Sequence, residues 1–176
     1  MSLADDDQMT RFQTLLPKLK KIKAIFLDVD GVLTDGTIIY GSDGVEMKIF
    51  DSQDGFGISN AINGGIRVGI ITGRHSELVK RRAAELGVVD LYQGSIDKIT
   101  PFEEIKRIYS LDSSEIAYVG DDILDLPLLR KVGFSAAPAN AVREVRTKVD
   151  YVSKARGGQG AVREIIDVIM KAQKKI

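Results

Sequence analysis

The sequence contains no cysteine. Disulfides, thiol chemistry and zinc sites of the cysteine type are therefore excluded. Charge of one sign is also missing, because 25 lysines and arginines balance 25 aspartates and glutamates. No global field recruits nucleic acid or an anionic membrane, so a phosphate ligand would depend on local cations. No apolar run approaches membrane-spanning length, and Asp5, Asp6 and Asp7 stand where a secretory signal would carry its basic region. A soluble cytoplasmic protein is expected, with neither nucleic acid nor membrane as partner. What is present suits one compact domain: 176 residues, with enough apolar side chains for a real core.

Phe12, Leu15, Leu16, Leu19 and Ile22 recur at helical spacing, which predicts an amphipathic helix over about residues 9–21. Its apolar face suits the flank of its own domain better than a membrane or a partner. The expected organisation is an N-terminal helical extension, residues 1–22, followed by one domain over residues 23–176. Apolar runs at Ala24–Leu27, Ile66–Ile71 and Ile116–Val119 predict strands, with weaker ones at Val88–Tyr92, Phe134–Ala136 and Val149–Val152. Helical periodicity over Glu77–Leu86, Pro101–Tyr109 and Leu124–Val132 separates most of them. This alternation predicts an α/β fold, a Rossmann-like three-layer sandwich with a central parallel sheet. Thr37–Tyr40 and Val45–Phe50 flank Gly41-Ser42-Asp43-Gly44 and predict a projecting β-hairpin over residues 36–50.

Ligands of such sheets lie beyond the carboxyl ends of the strands, and the polar motifs fall there. Asp28-Val29-Asp30-Gly31-Val32-Leu33-Thr34 follows the first run, and Thr72-Gly73-Arg74 the second. Gly120-Asp121-Asp122-Ile123-Leu124-Asp125 follows Ile116–Val119, and Lys98 opens a helix after Val88–Tyr92. Two carboxylates two residues apart on extended backbone point the same way. They need a cation between them, or one takes up a proton. Magnesium fits, since it prefers carboxylate and water oxygens, and Asp121 and Asp122 offer further carboxylates. Thr72 and the amides beside it suit phosphate oxygens at a helix start. Lys98 is a cation for Asp28 and a phosphoryl group. Each motif alone has a plainer reading: a strand-to-turn junction, an N-cap by Thr72 or Ser76, helix-start acids, a solvated lysine. Their combination in this order points to phosphoryl chemistry.

The combination resembles the haloacid dehalogenase-type phosphatases. Their first motif reads Asp-x-Asp-x-Thr/Val, which Asp28, Asp30 and Val32 fit. Thr72 matches the second motif, Lys98 the third, and Gly120-Asp121-Asp122-x-x-Asp125 the fourth. The resemblance implies in-line attack by Asp28 on phosphorus, giving an aspartyl-phosphate. Asp30 would protonate the leaving alkoxide and then activate water. Magnesium would be held by Asp28, the Asp30 backbone carbonyl and Asp121, with Asp122 adjacent. Thr72, Gly73 and Lys98 would bind phosphoryl oxygens.

No long insertion follows the hairpin or Thr72, so no large cap domain is expected. Leu27–Gly36, Asp54-Gly55-Phe56-Gly57-Ile58, Thr72-Gly73-Arg74, Tyr92-Gln93-Gly94, Ala117–Asp122 and Gly157–Glu164 are similar to one subfamily, the 3-deoxy-D-manno-octulosonate 8-phosphate phosphatases. That resemblance implies hydrolysis of a small phosphorylated sugar acid for lipopolysaccharide synthesis. It also implies a homotetramer joined through the hairpins. The glycine-rich segment 154–164 of one subunit would cover the site of its neighbour, with Arg156, Gly157 and Gly158 in contact with substrate. Arg74 stands where similar phosphatases for a nine-carbon acid carry Glu, and so favours the eight-carbon substrate. His75, the sole histidine, reads as a helix-start polar residue.

Three other readings stand beside this one. A phosphatase of broad specificity, or one for the nine-carbon acid, shares the motifs. A non-catalytic oligomerisation module would not need Asp28, Asp30, Lys98 and Asp121 together. A phosphorylated receiver would place adjacent acids at its first strand, unlike Asp28-x-Asp30.

Overall fold

The computed structural model describes residues 12–176. Helix α1 (residues 12–19) precedes β1 (Ala24–Leu27), and a hairpin of β2 (Ile39–Tyr40) and β3 (Glu46–Met47) follows. Next come α2 (Ser52–Asn63), β4 (Arg67–Ile71), α3 (Glu77–Glu85), β5 (Asp90–Tyr92), α4 (Ile99–Tyr109) and β6 (Ile116–Val119). The chain closes with α5 (Leu126–Leu129), β7 (Phe134–Ala137), α6 (Arg143–Arg146), β8 (Tyr151–Val152) and α7 (Ala161–Ala172). Among the described residues, six parallel strands form one sheet in the order β5-β4-β1-β6-β7-β8.

The central strands are buried at nearly every position because helices cover both faces. Ile25 and Leu27 of β1 face a core shared with α1, α2, α3 and α7. Ala24 and Phe26 face the opposite core, made with α4, α5 and α6. β4 carries Gly69 at its centre because a Cβ there would collide with the Phe26 ring. Leu15 and Leu19 of α1 and the adjoining Ile22 belong to the first core. Gln173, just beyond α7, donates to the carbonyls of Leu19 (2.9 Å) and Ile22 (2.7 Å). Residues 9–11 of the expected first helix lie outside the described residues.

Three local differences from expectation have physical causes. The helix expected over Leu124–Val132 is a 3₁₀ turn, Ile123–Asp125, followed by the short α5. Asp122 and Asp125 form a capping box on the turn, and Pro127 lies in the first turn of α5, where a proline's missing N–H costs nothing. The hairpin strands span two residues each, having only one another to pair with. Helix α2 was hidden because Gly55 and Gly57 interrupt its apolar pattern. Gly57 is required by packing: a Cβ would lie 3.0 Å from Arg163 Cδ and 3.2 Å from Arg163 Cα on α7.

Segment 154–160 is anchored within its own chain. Glu164 accepts from Tyr151 Oη (2.6 Å), Ser153 Oγ (2.8 Å) and Lys154 N (3.1 Å), fixing the segment to its own helix. Gly157 N donates to Asn140 Oδ1 (2.6 Å), and Gly158 N to Val32 O (3.0 Å). A Cβ on Gly157 would overlap the Gly31 carbonyl oxygen. These glycines let one backbone run against another, and they brace the loop after β1 of the same chain.

Asp54 in the first turn of α2 accepts from Arg163 N (2.8 Å) and Gly160 N (3.3 Å). It thus caps α7, whose own N-cap residue, Gly160, has no side chain. Burial pushes the Asp54 carboxyl up to about 6, against the pull of those amides. A carboxyl raised above its unfolded value favours the native state when protonated, so this contribution is lost as pH rises from about 4 through 6. Urea unfolding should show a steeper fall over this range for the wild type than for Asp54→Asn, in which only the other raised carboxyls remain. Parallel stability profiles for the two proteins would contradict the assignment.

Candidate active site

β1 and β6 end side by side, Leu27 opposite Val119. Asp28 leaves β1 with its amide still donating to Val119 O (3.0 Å). Gly31 then turns at φ 89°, and a Cβ there would overlap the Asp121 carboxylate. That close approach brings the first and fourth motifs together. A cleft of about 310 Å³ opens here, lined by Asp28, Asp30, Thr72, Gly73, Arg74, Ser95, Ile96, Lys98, Asp121, Asp122, Leu124 and Asp125.

At its floor Lys98 Nζ lies 2.8 Å from Asp28 Oδ2 and 2.5 Å from Asp125 Oδ1. The Lys98 ammonium also donates to Tyr118 Oη (2.9 Å), whose own hydroxyl donates to Asp125 Oδ1 (2.7 Å). The other oxygen of Asp125 accepts from the amides of Asp121 (3.0 Å) and Asp122 (3.2 Å). Asp125 is 1% exposed and Lys98 5%. Burial by itself would lower the Lys98 ammonium, but Asp28 and Asp125 outweigh it and hold the pKa above the ordinary value. Burial raises Asp28 despite Lys98. Burial, then Asp28 and Asp125, push Asp121 up to about 7.

The donor set fits a divalent cation. Asp28, Asp121 and Asp125 each bring a carboxylate oxygen within 4.8 Å of the others. Three carboxylates face one ammonium, which leaves an excess of negative charge in a poorly solvated place. Among the described residues, no protein group reaches the buried Oδ1 of Asp121. Asp121 brings an unpartnered oxygen, whereas Asp28 already meets Val29 N (2.7 Å) and Lys98 (2.8 Å), and both oxygens of Asp125 are engaged. Asp122 is exposed and its Oδ1 accepts from Ile123 N (2.7 Å). Magnesium suits such an oxygen set.

Thr72 is buried beside the cleft, its amide on Tyr92 O (2.9 Å) and its carbonyl on Ser95 N (2.9 Å). Arg74 reaches the hairpin, donating to Tyr40 Oη (3.0 Å) and Glu46 Oε1 (3.2 Å). Ser76 starts α3, yet its hydroxyl goes to Glu46 Oε2 (2.8 Å). Asp30 is ion-paired with Lys48 of the hairpin. Arg156, Gly157 and Gly158 do not line the cleft of their own chain. The sequence reading passed over Tyr118 and Lys48 and gave Asp125 no role. A hydroxyl within the apolar strand Ile116–Val119 was a usable signal, because a buried tyrosine needs a hydrogen-bond partner.

With no cation bound, Asp121 keeps its proton up to about pH 7. Magnesium must displace that proton, so its affinity should weaken below neutrality by up to about tenfold per pH unit. Titration calorimetry on either side of pH 7 measures this; an unchanging affinity would contradict it.

A family profile for haloacid dehalogenase-like hydrolases matches residues 83–166. The 3-deoxy-D-manno-octulosonate 8-phosphate phosphatase KdsC of Salmonella typhi is 44% identical over 162 residues, covering 92% of this chain and 86% of that protein. The crystal structure of the corresponding Yersinia pestis phosphatase superposes with a TM-score of 0.90 at 41% identity, covering 92% of this chain and 87% of that one. The Moraxella catarrhalis phosphatase, solved in complex with a magnesium ion, a phosphate ion and a KDO molecule, gives a TM-score of 0.90 at 42% identity, over 92% of this chain and 93% of that one. With this sheet order, this carboxylate–lysine cluster and relatives this similar over most of its length, the chain belongs to the 3-deoxy-D-manno-octulosonate 8-phosphate phosphatase family of haloacid dehalogenase-like hydrolases.

Proposed function

We propose that this chain hydrolyses 3-deoxy-D-manno-octulosonate 8-phosphate to the free sugar acid and inorganic phosphate. The observation that carries this reading is the buried Asp28–Lys98–Asp125 arrangement facing Asp121 at the strand ends. Asp28 attacks phosphorus, and the ester oxygen leaves on the opposite side. Asp30 at the cleft wall gives that oxygen its proton, then takes one from the water that cleaves the acyl-phosphate. Lys98 holds the Asp28 carboxylate in place and offsets phosphoryl charge, while Thr72 and Gly73 lie where phosphoryl oxygens need donors. Asp28 and Asp121 would hold magnesium, which would supply charge neutralisation at the phosphoryl group. Asp125 touches no reactant in this scheme and orients Lys98 together with Tyr118.

The cellular setting belongs to the same proposal: a cytoplasmic enzyme that supplies the sugar acid of lipopolysaccharide. Among the described residues, no helix is long and apolar enough to cross a membrane. Self-association through the hairpin into a homotetramer is supported by an inverted pattern. Val45, Met47 and Ile49 face solvent, while Glu46 and Lys48 turn inward. An exposed apolar strand face is a liability unless it is covered.

Phosphate release from 3-deoxy-D-manno-octulosonate 8-phosphate should require magnesium and vanish in Asp28→Asn. Rapid release from a generic aryl phosphate alone would leave the chemistry and remove the substrate assignment. Light scattering should find a tetramer for the wild type and smaller species for Ile49→Lys. A monomeric wild type would overturn the association.

A further inference from the structure

Asp30 is not held by its own loop alone. Its Oδ1 is paired with the ammonium of Lys48, which the hairpin carries in from eighteen residues away. The Lys48 side chain is 2% exposed, so this is a buried contact rather than a solvated surface pair. Behind it, Lys48 Nζ lies 3.6 Å from Glu46 Oε1. Glu46 in turn accepts from Arg74 (3.2 Å) and from the Ser76 hydroxyl (2.8 Å). Positive and negative groups therefore alternate from Asp30 through Lys48 and Glu46 to Arg74. Each charge in the row has an opposite neighbour, the condition under which buried ions are tolerated. The row runs from the catalytic loop, through the hairpin, to the start of α3.

We propose that Lys48 is a positioning residue for the phosphatase reaction: it holds the Asp30 carboxyl so that its second oxygen meets the leaving-group oxygen and then water. The hairpin is thereby part of the catalytic apparatus as well as an association element. Lys48 is buried beneath Asp30 and does not line the cleft, so it acts through Asp30 and not on the substrate. The inference rests on the phosphatase reading above and on Asp30 as the proton donor. A proton donor displaced by even a fraction of an ångström loses much of its effect, because proton transfer needs hydrogen-bond reach in the transition state.

The choice of leaving group separates this role from a merely structural one. An alkoxide leaves poorly without a proton, whereas a nitrophenolate leaves readily without one. Lys48→Met and Lys48→Arg are compared with wild type on the sugar-acid phosphate and on 4-nitrophenyl phosphate, with circular dichroism and thermal melting as checks on folding. For Lys48→Met, kcat/KM on the sugar-acid phosphate, which reports the step in which the alkoxide leaves, should fall about ten- to a hundredfold. The kcat/KM for 4-nitrophenyl phosphate, which covers the steps only as far as loss of the leaving group, should stay within about twofold of wild type even where slower cleavage of the acyl-phosphate lowers kcat, and Lys48→Arg should recover much of the lost kcat/KM. Equal losses on both substrates, or no loss on either, would overturn the positioning role. Failure of the wild type on both substrates would instead refute the phosphatase reading itself.

Discussion

The structure depends on one electrostatic constraint: carboxylates crowd the end of β1 and β6 with a single ammonium among them. Lys98 stands at the start of α4, where the helix dipole disfavours a cation. It is stable there because Asp28 and Asp125 flank it. Removing either partner would leave a buried charge uncompensated, at a cost of several kcal/mol. Much of the surrounding design follows from keeping this group tight. Tyr118 spends its hydroxyl on it, and the capped turn Ile123–Asp125 presents its second carboxylate. Gly31 and Gly120 remain without side chains because a Cβ on either would strike Asp121 or Asp125. The residual negative charge of the cluster is what makes the site a cation site.

The sheet was legible in the sequence because its strands are buried on both faces and read as unbroken apolar runs. Asp28, Thr72, Lys98 and Asp121 were legible because each follows such a run, where a parallel sheet puts its ligand. Contacts that join distant segments were not legible. Nothing local to Asp54 says that it caps a helix starting more than a hundred residues later. Gly157 and Gly158 look like a flexible connector, and only the approach of the Gly31–Asp35 backbone explains why they lack side chains. Lys48 was obscured by the alternation around it, since an apolar-polar strand is ordinarily read with its apolar face inward.

That reversal gives one strand two different surroundings. In this hairpin the polar face looks toward the active site and the apolar face toward solvent. One strand thus serves two needs at once, a charged one at the catalytic loop and a hydrophobic one outside. Arg74 belongs to the same arrangement. Its guanidinium clasps Tyr40 and Glu46 at the rim of the cleft. Arg74 therefore bears on how the hairpin is seated.

The loop after β1 is also clamped by distant parts of the chain. Among the described residues β1 is the first strand in the sequence, yet it occupies the middle of the sheet, and both of its neighbours come later. The loop that follows is completed by Asn140, which donates to Gly31 O (3.1 Å), and by Gly158, which donates to Val32 O (3.0 Å). Its supports lie more than a hundred residues further along the chain. The nucleophile's loop is therefore braced by residues remote in sequence, so any lesion that loosens Asn140 or Gly158 reaches the catalytic aspartates without touching them.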